Sequence, residues 1–233
     1  MKLSTVMAAT KYQKKRRLYT LGLIITFLLS ITFGVVTFYG QQTGNFVMNV
    51  DYDAYNRGIV LSDTKDFEQT SSRLMTDPIV GAQDITYNWL QIEQVKATDG
   101  HYNDPDMGYM AYTFYIKNNG LETVDLTYSV RITEVTKDLD QAIRFMIIVD
   151  DEESIYQQPD EADEFGNFYE YPVELPETKP FLNDYTIARE TITRFVPEET
   201  KKFSIILWLE GYDPDTTDEV AGGAIKMQMS FSI

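Results

Sequence analysis

Apolar and polar side chains alternate at both ends of the long stretch that follows residue 44. From Phe46 to Tyr52 every second residue is apolar, and the same alternation from Ile225 to Ile233 ends the chain. Successive side chains of a strand point to opposite faces, so this period predicts a half-buried β-strand. Both segments are therefore predicted to contribute one face to a hydrophobic core.

Further strands are predicted between these two segments. They cover 85–95, which is apolar on both faces, two rows within 109–133, the run 145–149, and the stretches 185–195 and 203–209. Residues 62–72 lack a firm period and predict a loop, and 138–144 begins with the signals of a short helix. Seven or more strands without a sustained helical period predict an all-β fold, namely an antiparallel β-sandwich of the jelly-roll kind.

Two hairpins are predicted within this fold. The segment Asn118–Gly120 separates two apolar rows, and a three-residue loop with Gly120 in the left-handed conformation pairs Phe114 with Val124. The turn at 196–200 is predicted to join the second pair of strands.

A single transmembrane helix is predicted before the β-rich part. Residues 18–39 are 22 positions without a charge, and at about 1.5 Å per residue they span roughly the hydrocarbon core of a bilayer. The sequence thus divides into a basic tail at 1–17, a signal anchor at 18–39 that contacts the lipid bilayer, and a domain at 40–233.

The charges beside this segment predict its orientation. Four bases, Lys14 to Arg17, lie directly before it, and basic flanks stay on the cytoplasmic side. The N-terminus is therefore expected in the cytoplasm and the domain outside the cell membrane. The alternative is a cleaved secretory signal, but such signals have a shorter apolar region and a small-x-small cleavage site. The sequence favours an uncleaved anchor.

The rest of the chain is strongly acidic. Overall, 20 Lys and Arg oppose 36 Asp and Glu, and the first 40 residues hold six bases and no acid. The remainder has 14 bases against 36 acids, a net charge of −22. This charge excludes nucleic acid as a partner, because its phosphates are also negative. An acidic excursion at 150–178 holds eleven carboxylates and no base. Its interleaved aromatic residues predict that part of it packs over the sandwich.

Few residues are suited to catalysis. The chain has no cysteine, which excludes disulfides, thiolate chemistry and iron–sulfur sites. His101 is the only histidine and lies in a predicted exposed loop, so neither a zinc site nor a conventional triad can be completed. We therefore predict no enzyme and no cofactor. The alternative is a hydrolase with an unrecognised pair of carboxylates, as in glycosidases.

Calcium is the metal that the sequence accommodates best. Asp213, Asp215 and Asp218 lie within six residues on a predicted turn, and hard cations take oxygen ligands from such groups. The turn lacks the glycine and the terminal glutamate of an EF-hand. The competing interpretation is a solvated turn that starts at Asp213-Pro214 and is capped by Asp218.

The order of these parts resembles a known family. A basic N-terminus, one apolar anchor, the segment Tyr112–Gly120 and an apolar last strand are similar to the camelysin and biofilm-matrix fibre proteins of Gram-positive bacteria. The resemblance implies a jelly-roll domain at the cell surface and, for the fibre members, assembly by strand donation. The metalloprotease activity associated with camelysins is not carried over, because the sequence has no zinc motif.

Together these features predict a non-enzymatic structural or interaction component of the cell surface. Its partners would be other surface proteins or further copies in an envelope assembly, reached by strand addition at 46–52 or 225–233. The alternative is a calcium- or carbohydrate-binding surface module.

Overall fold

The computed structural model describes residues 16–34, 45–78, 81–162 and 164–233. The chain divides into two units, 1–42 and 43–233. The first contains helix α1, Arg16–Gly34, which is long and apolar enough to cross a membrane by its length and composition. The predicted tail up to residue 15, the anchor residues 35–39 and residues 40–44 lie outside the described residues.

The threonine side chains of α1 bond within the helix. Thr20, Thr26 and Thr32 each donate a hydrogen bond to the carbonyl oxygen four residues earlier, at 2.9 Å. The apolar side chains around them are exposed, from Leu18 at 69% to Phe33 at 68%. After Arg16 and Arg17 at its start, the surface of this helix is therefore largely apolar, even at its threonines.

The second unit is built mainly of β-strands. Its described elements are β1 (Phe46–Val50), α2 (Tyr52–Asn56), β2 (Ile59–Ser62), β3 (Arg73–Met75), β4 (Asp84–Ile85), a 3₁₀ turn (Tyr87–Trp89), α3 (Ile92–Ala97), β5 (Gly100–Tyr102), β6 (Met110–Asn118), β7 (Val124–Val135), α4 (Leu139–Ala142), β8 (Ile143–Val149), β9 (Glu152–Gln157), β10 (Lys179–Pro180), β11 (Thr186–Phe195), β12 (Thr200–Glu210) and β13 (Ile225–Ser232).

These strands form two sheets that pack face to face. The five-stranded sheet has the order β11-β7-β13-β1-β3, and the larger sheet has the order β10-β9-β8-β12-β6-β2, with β4 beside β12 and β5 beside β6. The predicted strands at both ends of the domain and at 145–149 are confirmed as β1, β13 and β8. The first is shorter than predicted, since Tyr52 begins α2 and is exposed. The short predicted helix before β8 is confirmed as α4.

The sheets are mixed, so the purely antiparallel sandwich is wrong. β1 runs parallel to β13, β10 parallel to β9, and β4 parallel to β12. Each parallel pair joins strands separated by a long stretch of chain, and parallel strands require a long connection. Because alternation reports which face is buried and not the direction of the neighbour, the sequence pattern could not reveal these pairs.

The main core lies between the two sheets and is rich in aromatic rings. Phe203 stacks on Phe114 with ring centroids 5.3 Å apart, and Tyr128 and Phe231 of the opposite sheet meet Phe203 edge-on at 5.4 Å. All four are buried. Edge and stacked contacts of this kind add to the burial of apolar area, so these four rings tie the two sheets together.

Both predicted hairpins are wrong. β6 lies in the larger sheet and β7 in the five-stranded sheet, and β11 and β12 are divided in the same way. The alternating rows do face each other, but across the core and not as neighbours in one sheet. Each predicted hairpin loop is therefore a corner at which the chain crosses between the sheets.

Asn118 joins the two corners. Its buried side-chain amide donates to the carbonyl oxygens of Glu122 and Phe195, and its Oδ1 accepts from the N–H of Gly120. A Cβ at Gly120 would collide with the carbonyl oxygen of Arg57. Close approach of another segment therefore requires this glycine, and the predicted left-handed conformation is absent here.

Residues 84–109 cover the outer face of the larger sheet. The predicted strand 85–95 is wrong, since it contains β4, the 3₁₀ turn and the start of α3. Its apolar side chains form a second core with Met146, Ile206 and Trp208. The apolar pattern of this segment predicted its burial correctly. Such a pattern does not distinguish a strand from a short helical segment.

The segment 62–72 is largely irregular, as predicted, although β2 ends within it at Ser62. The acidic excursion is partly regular, because β9 belongs to the larger sheet. The remainder, which we call the acidic arm (residues 158–178), packs in part over the outer face of that sheet, as the contacts below show. Residue 163 lies outside the described residues.

Candidate functional site

A pocket of about 260 Å³ opens on the outer face of the larger sheet. Its floor comes from three adjacent strands, where Arg144 of β8 is in register with Gln157 of β9 and with Trp208 of β12. Because side chains alternate along strands, these three residues share one face. The acidic arm forms one wall, including Tyr171, and Tyr87 of the 3₁₀ turn also lines the pocket.

A buried ion pair underlies the pocket. Arg144 Nη1 lies 2.6 Å from Asp213 Oδ2, and the two side chains are 3% and 0% exposed. The same Nη1 donates to the carbonyl oxygen of Ile143 at 3.1 Å. A buried guanidinium is stable only when paired and hydrogen-bonded, so Asp213 fixes the position of Arg144 in the floor.

Glu210 is the second buried charged residue of the floor. Its Oε2 accepts from Trp208 Nε1 at 2.9 Å, and its Oε1 accepts from the N–H of Tyr212. Glu210 lies at the end of β12 but is only 2% exposed. These bonds orient the indole ring beside the pocket.

Tyr171 joins the arm to this buried pair. The Arg144 guanidinium lies 5.2 Å from the Tyr171 ring centroid, and the phenol donates to Asp160 at 2.8 Å and to Asp213 at 3.3 Å. Burial raises the pKa of Tyr171 most, the hydrogen bond to Asp160 raises it further, and Arg144 opposes both. The neutral phenol is thus a hydrogen-bond donor that holds the wall in place.

The arrangement suits a small polar molecule. The pocket combines aromatic rings with a guanidinium, the amide of Gln157, the hydroxyl of Thr178 and the carboxylates of Glu177 and Glu210. Apolar walls with a few fixed polar groups are typical of ligand sites. The described lining includes no histidine, serine or cysteine that could serve as a base or nucleophile.

The three aspartates predicted as calcium ligands have different environments. Asp213 is bound to Arg144, and its Oδ1 accepts from the N–H of Asp215 at 2.8 Å, whereas Asp218 is exposed. Burial raises the pKa of Asp215, and the neighbouring carboxylate of Asp213 raises it further. In the described residues no group of three or more metal-ligating side chains is assembled, so the calcium site stays a prediction.

His101 lies in a strand and not in the predicted exposed loop. It belongs to β5, its Nε2 accepts from the N–H of Asp77 at 3.0 Å, and its ring meets Tyr112 edge-on at 4.7 Å. These contacts give the imidazole a structural role beside the edge of the larger sheet.

The strands proposed for strand addition are not at an edge. β1 is paired with β13 and β3, and β13 is paired with β7 and β1. Each of the two strands therefore has a neighbouring strand on both sides, and neither offers a free edge for strand addition. The described edge strands of the five-stranded sheet are β11 and β3.

Sequence reasoning missed Arg144, Tyr171 and Gln157 as site residues. One signal was available, since Arg144 is a single charge at the start of a run of buried apolar residues, where an arginine requires a partner. Nothing local identifies that partner, because Asp213 is far away in the chain.

Comparison with known proteins adds little. No family model and no curated protein matches the sequence. Two structures of a β-glucosidase from Kluyveromyces marxianus, one in complex with glucose and one labelled with selenomethionine, are similar to 75% of this chain at 12% identity. The match covers 15% and 16% of the glucosidase chains, and the TM-score is 0.26 in both cases. A structural similarity this low supports no conclusion about the fold or the function of this chain.

Proposed function

We propose that this chain is a single-pass membrane protein whose acidic β-sandwich acts outside the cell membrane as a non-enzymatic structural or interaction component of the cell surface. The sandwich is jelly-roll-like in this proposal, because its chain crosses repeatedly between two sheets. The N-terminus is cytoplasmic, in keeping with the bases that precede α1.

The apolar surface of α1 carries the proposal. Large apolar side chains are exposed along its length, whereas soluble proteins rarely expose contiguous apolar patches of this extent. Its three threonine hydroxyls are satisfied by the helix backbone, which is what the interior of a bilayer demands of polar groups. A helix with these properties is stable in lipid and poorly soluble in water.

Membrane retention after alkaline carbonate extraction tests the anchor. The variant Ile24→Arg/Leu28→Arg places two charges in the apolar helix, and it is expected to leave the membrane pellet. The matched control Leu121→Arg/Leu182→Arg changes two exposed residues of the sandwich and is expected to stay in the pellet with the original protein. Extraction of the unaltered protein would refute the anchor.

Purification from membranes in mild detergent tests the interaction role. We expect the chain to elute with partner chains or with further copies of itself. A chain that elutes alone at every concentration would contradict an assembly role.

A second candidate function is binding of a small polar ligand such as a sugar. The pocket over Arg144 and Trp208 favours it, since the site combines rings for stacking with fixed hydrogen-bonding groups. Calorimetric titration with a panel of neutral and acidic sugars tests this function. Binding that is lost in Gln157→Ala, with Thr191→Ala on the opposite sheet as the control, is the expected result.

The same titration distinguishes binding from hydrolysis. Glu177 and Glu210 both line the pocket, and a glycosidase requires two carboxylates. Release of a free sugar that disappears in Glu177→Gln would replace the binding function by an enzymatic one.

A further inference from the structure

The outer face of the five-stranded sheet carries a row of polar side chains across all its strands. In register, Arg189 of β11 is followed by Ser129 of β7, Ser230 of β13, Asn49 of β1 and Arg73 of β3. Neighbouring strands lie about 4.8 Å apart. The row is therefore a strip of hydroxyl and amide groups with a guanidinium at each edge.

Three exposed arginines on this face have no acidic partner. Arg73, Arg131 and Arg189 are exposed, and no carboxylate of the described chain lies within ion-pair distance of them. In a domain with a net charge of −22, three unpaired arginines on one face are unexpected. We call this surface the arginine face.

The carboxylates of the same strands are engaged elsewhere. Asp125 accepts the backbone N–H of Arg194, Glu134 pairs with Lys226, and Glu190 accepts from Tyr156 and pairs with Lys179. None of these acids neutralises the three arginines. The arginine face is therefore available to an anionic partner.

The complementary charge is found on the opposite side of the sandwich. The acidic arm holds five exposed glutamates that form no ion pair with the described residues: Glu161, Glu164, Glu170, Glu174 and Glu177. The arm packs on the outer face of the larger sheet through Tyr171, Leu175 and Pro176. Two layers of strands separate it from the arginine face of its own chain.

Apolar side chains accompany the charges on both surfaces. Val173 and Phe168 of the arm are 98% and 66% exposed, and Met75, paired in register with Val47 at one end of the arginine face, is 56% exposed. A purely anionic polymer would leave these side chains in water. A protein partner with both carboxylates and apolar groups covers them.

We propose that the arginine face binds the acidic arm of a second copy of this chain. Guanidinium groups bind carboxylates with two parallel hydrogen bonds, and the hydroxyl and amide row between the arginines supplies further donors. Because the two surfaces lie on opposite sides of one sandwich, the contact is head-to-tail, and it extends into a row of copies unless the rotation closes a ring.

The net charge of the domain does not prevent this contact. At physiological ionic strength, charges more than about 8 Å apart are largely screened, so the overall repulsion between two acidic domains is weak. Direct pairs between an arginine and a glutamate are much closer and remain attractive. The inference rests on the proposed function, since a shared membrane holds the copies in one plane.

Charge reversal in the full chain, purified in detergent, tests the proposal by sedimentation velocity. Arg131→Glu/Arg189→Glu reverses the face and Glu170→Lys/Glu174→Lys reverses the arm. All four positions are exposed, so the fold is expected to survive, which circular dichroism verifies. We expect each variant to associate at least about tenfold more weakly than the original protein. The control Lys65→Glu, an exposed base away from both surfaces, is expected to associate normally.

Mixing the two double variants gives the sharpest result. The reversed face then meets the reversed arm, and the original arm meets the original face, so association is expected to return in the mixture. Two outcomes would overturn the proposal: unchanged association in both double variants, or a monomeric original protein that binds polyphosphate through Arg131 and Arg189. Neither outcome concerns membrane retention, which tests the proposed function separately.

Discussion

Arg144 Nη1 and Asp213 Oδ2 lie 2.6 Å apart, with side chains that are 3% and 0% exposed. Their attraction must offset the loss of hydration of both charges, and removing one partner leaves the other charged and unpaired. The pair also holds Tyr171 above the guanidinium. The ion pair therefore supports the pocket wall, together with the hydrogen bond from Tyr171 to Asp160.

Asp213→Ala is expected to lower the free energy of unfolding by about 3–5 kcal/mol, because it leaves Arg144 buried without a counter-ion. Denaturant titration of the full chain in detergent measures the loss. The control Asp218→Ala removes an exposed carboxylate from the same turn and is expected to change the value by less than about 0.5 kcal/mol.

The double variant Arg144→Met/Asp213→Val distinguishes two causes of the destabilisation in Asp213→Ala: a buried charge without a counter-ion and a loss of packing. It removes both charges, so it is expected to be more stable than Asp213→Ala alone. Equal or greater destabilisation of the double variant would show that the ion pair is not the reason for the loss.

Asn118 is predicted to be essential for the two corners. Asn118→Ala removes three hydrogen bonds and leaves the carbonyl oxygens of Glu122 and Phe195 without their partner, which is expected to cost at least about 2 kcal/mol. Asn119→Ala is the control, since the adjacent side chain is exposed. Equal unfolding midpoints for the two variants would contradict this role.

The protein is predicted to unfold at alkaline pH. Burial is the first cause of a raised pKa for eight tyrosines. The pKa is raised most for six of them: Tyr109, Tyr112, Tyr115, Tyr128, Tyr156 and Tyr171. The pKa of Tyr112 is raised to about 12 from an ordinary value of 10.0. Above pH 10 the unfolded chain therefore releases protons that the folded chain retains, and stability falls as pH rises.

Tyrosinate absorbance and circular dichroism, followed together between pH 10 and 12, measure this transition. We expect the buried tyrosines to ionise in the same step in which the strand signal disappears. Ionisation of all tyrosines near pH 10 with the fold intact would contradict the burial of these phenols.

The hydrophobic pattern predicted the buried face of each strand much better than it predicted which strands are neighbours in a sheet. Phe114 and Tyr128 were both assigned to buried rows, and both lie in the main core. The pattern could not show that their strands belong to different sheets, since alternation is identical in a hairpin and across a sandwich. At the corner between the two strands, the side chain of Asn118 bonds to the carbonyl oxygen of Phe195, a long-range contact that alternation does not reveal.

The candidate site was less accessible to sequence reasoning. Asp213 was considered as a calcium ligand or a turn residue, because its neighbours in sequence are other acids and a proline. Its actual partner, Arg144, comes from a different strand of the fold. Long-range pairs of this kind leave no periodic or local signal.

Cysteine labelling of intact cells tests the central claim most directly, because the natural chain contains no cysteine. Lys65→Cys places a thiol on the surface of the sandwich and Ser4→Cys places one in the basic tail. With a maleimide that cannot cross membranes, the account predicts labelling of Lys65→Cys in intact cells and of Ser4→Cys only after permeabilisation. Protection of Lys65→Cys in intact cells would contradict a sandwich held outside the membrane.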